Sequence, residues 1–326
     1  MKDKIRWGIV GPGSIANRFA NAVKNVAGAE VTAVASRSAD RAREFADKHN
    51  IPNAFASYEE MANSTAVDAV YIATPHPFHK PYAELFLKAK KHVLCEKPIC
   101  VNAKEAIDIT ECAKQNNVFL MEAMWTRFLP AIEEAVRVAQ SGEIGEIRGV
   151  RAEFCFYSSP SPTSRLYAPE LAGGALLDVG VYCLNFVAAF LGNDPEEIRS
   201  IANVQNGADY QTDVLLKYQG GAIASISAAV NVSKPVVGYV YGTKGYIRVP
   251  HFFGATEFFV NTNNEERRVH KPYIGDGFEE QIEEACSCIR NGKTQSDKMP
   301  MSESIKIMEQ MDAVRKQIQL VYPFEV

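Results

Sequence analysis

The sequence predicts an α/β fold in two parts. A parallel sheet covered by helices comes first, and an α+β domain with a large, mostly antiparallel open sheet follows. Three observations predict this. Short apolar runs alternate with helical patterns through the first third of the chain. After about residue 123 the apolar residues recur at alternate positions instead. The length of 326 residues suits two domains better than one.

Residues 5–10 are apolar apart from Arg6 and Gly8 and read as a buried strand ending in a glycine turn. Ile15, Phe19, Ala22, Val23 and Val26 then recur at helical spacing. Further buried strands are expected at 31–35, 69–73, 92–95 and 118–121. Tyr82, Leu85, Phe86 and Ala89 mark a helical face between two of them. Ser57 with Glu60, and Asn102 with Glu105, have the spacing of capping boxes that open helices. Strand and helix alternating in this way imply parallel strands, because parallel neighbours need a crossover connection.

In the second half, Val150, Ala152, Phe154 and Phe156 alternate with Arg151, Glu153 and Cys155. Val214, Leu216 and Tyr218 do the same, as do Ala224, Ile226, Ala228 and Val230. Gly242-Thr243-Lys244-Gly245 lies between two such runs and reads as a hairpin turn. A long helix is expected at about 176–191, and Ile307, Met308, Met311, Val314 and Ile318 form one face of a closing helix. The boundary falls after Glu122, without a Gly/Ser linker, giving domains 1–122 and 123–326. The last helix, about 301–321, is expected to pack back on the first domain.

A formal net charge of −4 gives no general attraction to nucleic acid or anionic lipid. No apolar run of membrane-spanning length occurs, and the N-terminus lacks a signal peptide's apolar region, so no membrane partner is expected. The 7 cysteines are scattered and mostly sit in apolar segments, which suits reduced thiols in the cytoplasm. Cys286-Ser287-Cys288 has the wrong spacing for zinc, and no metal site is expected.

Gly11-Pro12-Gly13-Ser14-Ile15-Ala16 is the sharpest local signal. It follows the first strand and opens the first helix. Gly11 allows the tight turn, and Gly13 lets backbone approach a pyrophosphate. Ser14 and Ile15 begin a helix whose free N–H groups face the anion, and Ala16 permits close packing. This is the fingerprint of a Rossmann dinucleotide-binding domain. The slot that often holds an acidic residue for the ribose 2′-hydroxyl holds Ser36, followed by Arg37 and, further on, Arg41. An arginine can bind a 2′-phosphate that a carboxylate would repel, which favours NADP, with NAD the alternative.

Thr74, Pro75, His76 and His79, then Glu96-Lys97-Pro98, follow the carboxyl ends of strands, where open α/β sheets bind ligands. Lys97 stands between an acid and a helix-breaking proline, an unexpected place for a solvated helix lysine. Asp178 and Tyr182 are four apart after Gly173-Gly174, so on a helix they share one face, which Asn185 extends. The serine- and proline-rich loop 157–170 contains Arg165, and its composition suits a flexible substrate loop.

Together these stretches resemble the glucose–fructose oxidoreductase / inositol dehydrogenase (Gfo/Idh/MocA) family. The matches are Gly11 to Ala16, Glu96-Lys97-Pro98, and Asp178 with Tyr182 four residues on. The 121–128 segment, Met-Glu-Ala-Met-Trp-Thr-Arg-Phe, and the 174–183 segment resemble most the dihydrodiol and NADP-dependent xylose dehydrogenase branch. The resemblance implies reversible hydride transfer between NADP(H) and a hydroxyl-bearing carbon of a sugar, polyol or cyclic diol. Tyr182 would handle the proton with help from Lys97, either of the two serving as the immediate acid or base, and Asp178 would orient the substrate hydroxyl or that pair. Trp125 and Arg127 would line the site, a core aromatic being the equal alternative for Trp125. A homodimer or homotetramer through the C-terminal sheet is implied as well. The competing expectations are an inositol or other polyol oxidised with NAD, and a non-catalytic NADP sensor.

Overall fold

The computed structural model describes residues 4–161 and 164–325. The chain divides into two compact units, Met1–Trp125 with Ile274–Ile305, and Thr126–Tyr273 with Lys306–Val326.

The first unit carries six parallel strands: β1 (Ile5–Val10), β2 (Ala29–Ala35), β3 (Asn53–Phe55), β4 (Ala69–Ile72), β5 (His92–Glu96) and β6 (Leu120–Ala123). Their order is β3-β2-β1-β4-β5-β6. The order reverses between β1 and β4, and ligands bind such sheets where the order reverses. Helices α1 (Ser14–Ala22), α2 (Ala39–His49), α3 (Tyr58–Asn63), α4 (His79–Lys88) and α5 (Ala103–Asn116) connect the strands. Both predicted N-caps form. Ser57 Oγ accepts from Glu60 N at 3.1 Å, and Asn102 Oδ1 accepts from Glu105 N at 2.9 Å. Phe19 of α1 stacks on Tyr71 of β4 and meets Trp7 of β1 edge to face, all three rings fully buried.

The second unit begins with α6 (Pro130–Gln140). It then builds eight strands: β7 (Ile147–Cys155), β8 (Glu197–Gln205), β9 (Ala208–Lys217), β10 (Ile223–Ala229), β11 (Val237–Gly242), β12 (Gly245–Pro250), β13 (Glu257–Thr262) and β14 (Glu265–His270). Their order is β14-β13-β12-β11-β7-β10-β9-β8. Every neighbouring pair is antiparallel except β7 with β10. The 242–245 hairpin stands where the sequence puts it. Helix α7 (Val181–Leu191) covers the inner face, and Phe186 packs so closely on Gly238 that a β-carbon there would lie 2.4 Å from the ring. The stretch Pro169–Leu191 is long and apolar enough to cross a membrane by length and composition, but its most apolar 18 residues are 83% buried inside the structure.

Two boundaries differ from the sequence reading. The segment holding α8 (Glu279–Arg290) clusters with the first unit instead of the second. The cause is local bonding: Arg290 donates to the Gly28 carbonyl at 2.7 Å, Leu120 N donates to Thr294 O at 3.0 Å, and Asn25 donates to Glu279 at 2.8 Å. Of α9 (Met301–Gln317), only the first turn belongs to the first unit, and the rest belongs to the second. The expected 176–191 helix also has two parts. Leu176–Gly180 is a π-helical turn, in which Val181 N–H reaches back to Leu176 O, and α7 follows.

Candidate active site

Gly11 has φ +89°, and a β-carbon there would lie 3.0 Å from Thr74 Cγ2, so the turn after β1 meets the end of β4 at the reversal of strand order. Gly13 N donates to Gly11 O at 3.0 Å, and nothing occupies the space within 4 Å of a β-carbon built on Gly13. Asn17 Nδ2 donates to Gly13 O at 2.9 Å and holds the turn. Ser14 is exposed and Ile15 half-buried at the start of α1, while Ala16 is buried. Thr74 Oγ1 is buried with no hydrogen-bond partner among the described residues. An open backbone cradle, a helix N-terminus and an orphaned hydroxyl beside it fit a dinucleotide phosphate.

At the end of β2, Ser36 is buried and accepts from Ser38 N at 3.2 Å. Arg37 and Arg41 are exposed. The Arg37 guanidinium stands 5.4 Å from the centre of the Phe78 ring, and Phe78 stacks on Tyr82, which meets Tyr58. No carboxylate replaces Ser36, so the end of β2 keeps its cationic character.

The histidines part company. His76 is 8% exposed, with its ring 5.8 Å from that of His79. His79 is fully buried, with both ring nitrogens 2.8 Å from backbone carbonyls, Pro98 O and Thr74 O. It ties the loop after β4 to the loop after β5, and burial pushes its imidazole below the ordinary value. Both ring nitrogens of His79, one of the residues expected to contact the cofactor, are thus taken up by backbone carbonyls. Pro75 is exposed, and its carbonyl accepts from Phe78 N at 3.0 Å.

Glu96 ends β5 and accepts from the Tyr71 hydroxyl and, at 3.2 Å, from Lys97 N. It is a bracket for the Lys97 backbone, and burial pushes its carboxyl up. Lys97 itself is half-buried and precedes a cis peptide bond to Pro98. The sequence reading missed the second bracket. Glu122, at 1% exposure, accepts from Ile99 N at 3.0 Å and from Ser304 Oγ at 2.6 Å. Burial pushes its carboxyl up to about 7. A glutamate inside the apolar run of β6 was the available signal. Trp125 is buried against Phe278, with the Arg18 guanidinium 4.3 Å from its ring centre and bonded to Asp276 at 2.7 Å. Its surroundings are those of a packed core aromatic.

In the second unit Arg127 is half-buried. Asp178, at 5% exposure, lies in the π-helical turn and accepts from Arg165 Nη1 at 2.9 Å. The sequence reading placed Arg165 in a flexible loop without a role. Residues 162 and 163 of that loop lie outside the described residues; at its far end the Tyr167 hydroxyl stands 2.6 Å from Ser158 O and 2.8 Å from Val230 O, its one proton shared between the two carbonyls. Tyr182 is buried among aromatics, 5.6 Å from Phe154 and 6.2 Å from Phe253, which themselves stack at 4.6 Å. Asn185 donates to Val181 O at 2.9 Å within its own helix. Among the described residues, no group of three or more His, Cys, Asp or Glu stands ready to hold a metal.

Comparison with known proteins decides the family. Residues 5–124 match the oxidoreductase family with an NAD-binding Rossmann fold, and residues 132–248 match the GFO/IDH/MocA C-terminal domain. The chain belongs to the Gfo/Idh/MocA family of oxidoreductases. It is 39% identical to the mouse trans-1,2-dihydrobenzene-1,2-diol dehydrogenase and 37% identical to the human one, each alignment covering 98% of both chains. The solved structure of KijD10, a 3-ketoreductase from Actinomadura kijaniata in complex with NADP and TDP-benzene, superposes with TM-score 0.88 at 26% identity. That match covers 97% of this chain and 98% of that one. An aldose-aldose oxidoreductase from Caulobacter crescentus, 21% identical, shares the fold at TM-score 0.88 over 97% of this chain and 98% of its own.

Proposed function

We propose that this oxidoreductase is an NADP-dependent dehydrogenase acting reversibly on a hydroxyl-bearing carbon of a cyclic diol, with sugars as the neighbouring substrate class. The observation that carries the reading is the surround of Tyr182. Its phenol stands among Phe154 and Phe253, flat apolar rings suited to a carbocycle that presents its hydroxyls to a proton acceptor. The name of the mouse and human relatives points to the same class. Ser36 and Arg37 favour NADP on charge, and KijD10 is an NADP complex.

Nicotinamide, when bound, supplies the hydride acceptor or donor. Gly11, Gly13 and the first N–H groups of α1 hold the pyrophosphate, and Arg37 with Arg41 takes the 2′-phosphate. Tyr182 takes the hydroxyl proton as the carbon is oxidised and returns it in reduction. A free phenol near pKa 10 is a poor base at neutral pH, and Lys97 is the residue assigned to assist the proton transfer. Asp178, steadied by Arg165, orients the substrate hydroxyl. Lys97 belongs to the first unit and Tyr182 to the second. Lys97→Met and Tyr182→Phe should each lose turnover by about a hundredfold or more, with NADPH binding retained. Normal turnover in either variant removes that residue from the mechanism.

The chain works as a homo-oligomer through the outer face of the second sheet. One register row on that face runs Arg199, Leu215, Ser225, Arg151, Tyr239, Arg248, Phe259, Arg268. Ile201, Leu215 and Ile223 stand 75%, 56% and 54% exposed on the same sheet, beside Asp213 and Glu153. Apolar patches with charges of both signs suit a self-complementary twofold contact. Leu215→Glu should shift the protein to monomer by light scattering, and an unchanged mass would refute this interface. A cytoplasmic location is supported by seven free, buried cysteines.

A further inference from the structure

Asp209, at the start of β9, belongs to none of the groups above, yet it is fully buried. Its Oδ2 accepts from Leu176 N at 2.8 Å and from Thr212 Oγ1 at 2.6 Å. Leu176 opens the π-helical turn that carries Asp178 and leads into Tyr182. The first N–H groups of a helix have no partner within it, and a buried one needs an acceptor from elsewhere. Asp209 Oδ1 has no hydrogen-bond partner among the described residues and is turned onto Gly174. Gly174 has φ +129°, and a β-carbon there would lie 2.0 Å from that oxygen. The glycine is what lets the carboxylate seat itself at the helix start. Its neighbour Gly173 meets the Arg165 carbonyl, 2.6 Å from where a β-carbon would stand. The carboxylate therefore lies against Gly174 and the Leu176 amide, just ahead of the Asp178 segment.

We propose that Asp209 is a positioning residue for Asp178 and Tyr182, its buried carboxylate capping Leu176 and setting where the two side chains stand. The proposal rests on reading Asp178 and Tyr182 as the reacting residues. The groups facing Asp209 are few. The Tyr322 hydroxyl, from the C-terminal tail, donates to Gly173 O at 3.0 Å, and its charge would oppose that of Asp209. Arg315 of α9 favours the carboxylate, but it is itself held by Glu325 and lies 3.7 Å from Asp312. Burial outweighs these and pushes Asp209 from an ordinary 3.8 up to about 6. A protonated carboxyl is the weaker acceptor, so the cap slackens as pH falls through that value and turnover falls with it.

The test uses the full chain, with NADP and trans-cyclohexane-1,2-diol as the probe. Asp209→Asn should lower kcat about tenfold or more at mildly alkaline pH, with NADPH affinity within about twofold of the parent. The acid limb of its kcat profile should vanish. Amide exchange in 174–181, measured without substrate, should quicken while the first unit is unchanged. Thr212→Val keeps the carboxylate and removes a donor that favours its charged form. Its acid limb should move to higher pH, and this variant decides the matter if Asp209→Asn does not fold. Parental kcat with parental exchange in 174–181, or an acid limb that Thr212→Val leaves in place, overturns the proposal. Because exchange needs no turnover, a Tyr182→Phe enzyme that stays active would sink the catalytic reading while leaving the cap separately decided.

Discussion

Replacing Glu122 by Gln perturbs a single buried proton. The carboxyl is pushed from an ordinary 4.5 up to about 7. The unfolded chain ionises at the lower value and the folded chain at the higher one. Stability from this group is therefore complete below the lower value and lost as pH rises through the upper one. The full loss is about 3 kcal/mol, taking each tenfold step in proton affinity as about 1.4 kcal/mol. Glutamine cannot ionise, and it can keep both bonds: its carbonyl accepts from Ile99 N and its amide donates to Ser304 Oγ. The stability of Glu122→Gln relative to the parent should accordingly rise by about 2–3 kcal/mol between pH 5 and pH 8.5. Urea unfolding of both proteins at several pH values measures that difference, and all other titrations cancel in it. A difference flat across the range would refute the reasoning, because it would mean that Glu122 ionises alike in both states.

Arg37→Asp should raise the KM for NADP about tenfold to a hundredfold and leave that for NAD almost unchanged, since one charge-assisted contact to phosphate is lost. Equal effects on both cofactors would show Arg37 to be a solvated helix start. Lys97→Met and Tyr182→Phe should separate binding from turnover, read by nicotinamide fluorescence and steady-state rates. Leu215→Glu should produce monomers, read by light scattering.

Much of the first unit is legible in the sequence, because buried parallel strands read as apolar runs and Ser57 and Asn102 announce their helices. β3 is too short to show a period. The second sheet is harder. Ile201, Leu215 and Ile223 are apolar on the outer face, which blurs alternation, and the exposed edge strand β14 reads Glu-Glu-Arg-Arg-Val-His, without an apolar face. At the site, Gly11, Gly13, Lys97, Asp178 and Tyr182 announce themselves by motif and order. Glu122, Arg165 and Asp209 do not, because their roles depend on partners distant in the chain: Ser304 for Glu122, and the Leu176 amide for Asp209. The helix that carries Asp178 and Tyr182 opens with a π-helical turn over Leu176–Gly180, which the periodicity of the sequence does not show.

The central claim is NADP-dependent oxidation of a cyclic diol. Its most direct test is titration of the purified protein with NADPH and NADH by nicotinamide fluorescence, followed by turnover of trans-cyclohexane-1,2-diol, D-xylose and myo-inositol with each oxidised cofactor. NADPH should bind more tightly than NADH, and the cyclic diol should turn over with NADP. Preference for NADH, or firm NADPH binding with no turnover of the diol, would contradict it.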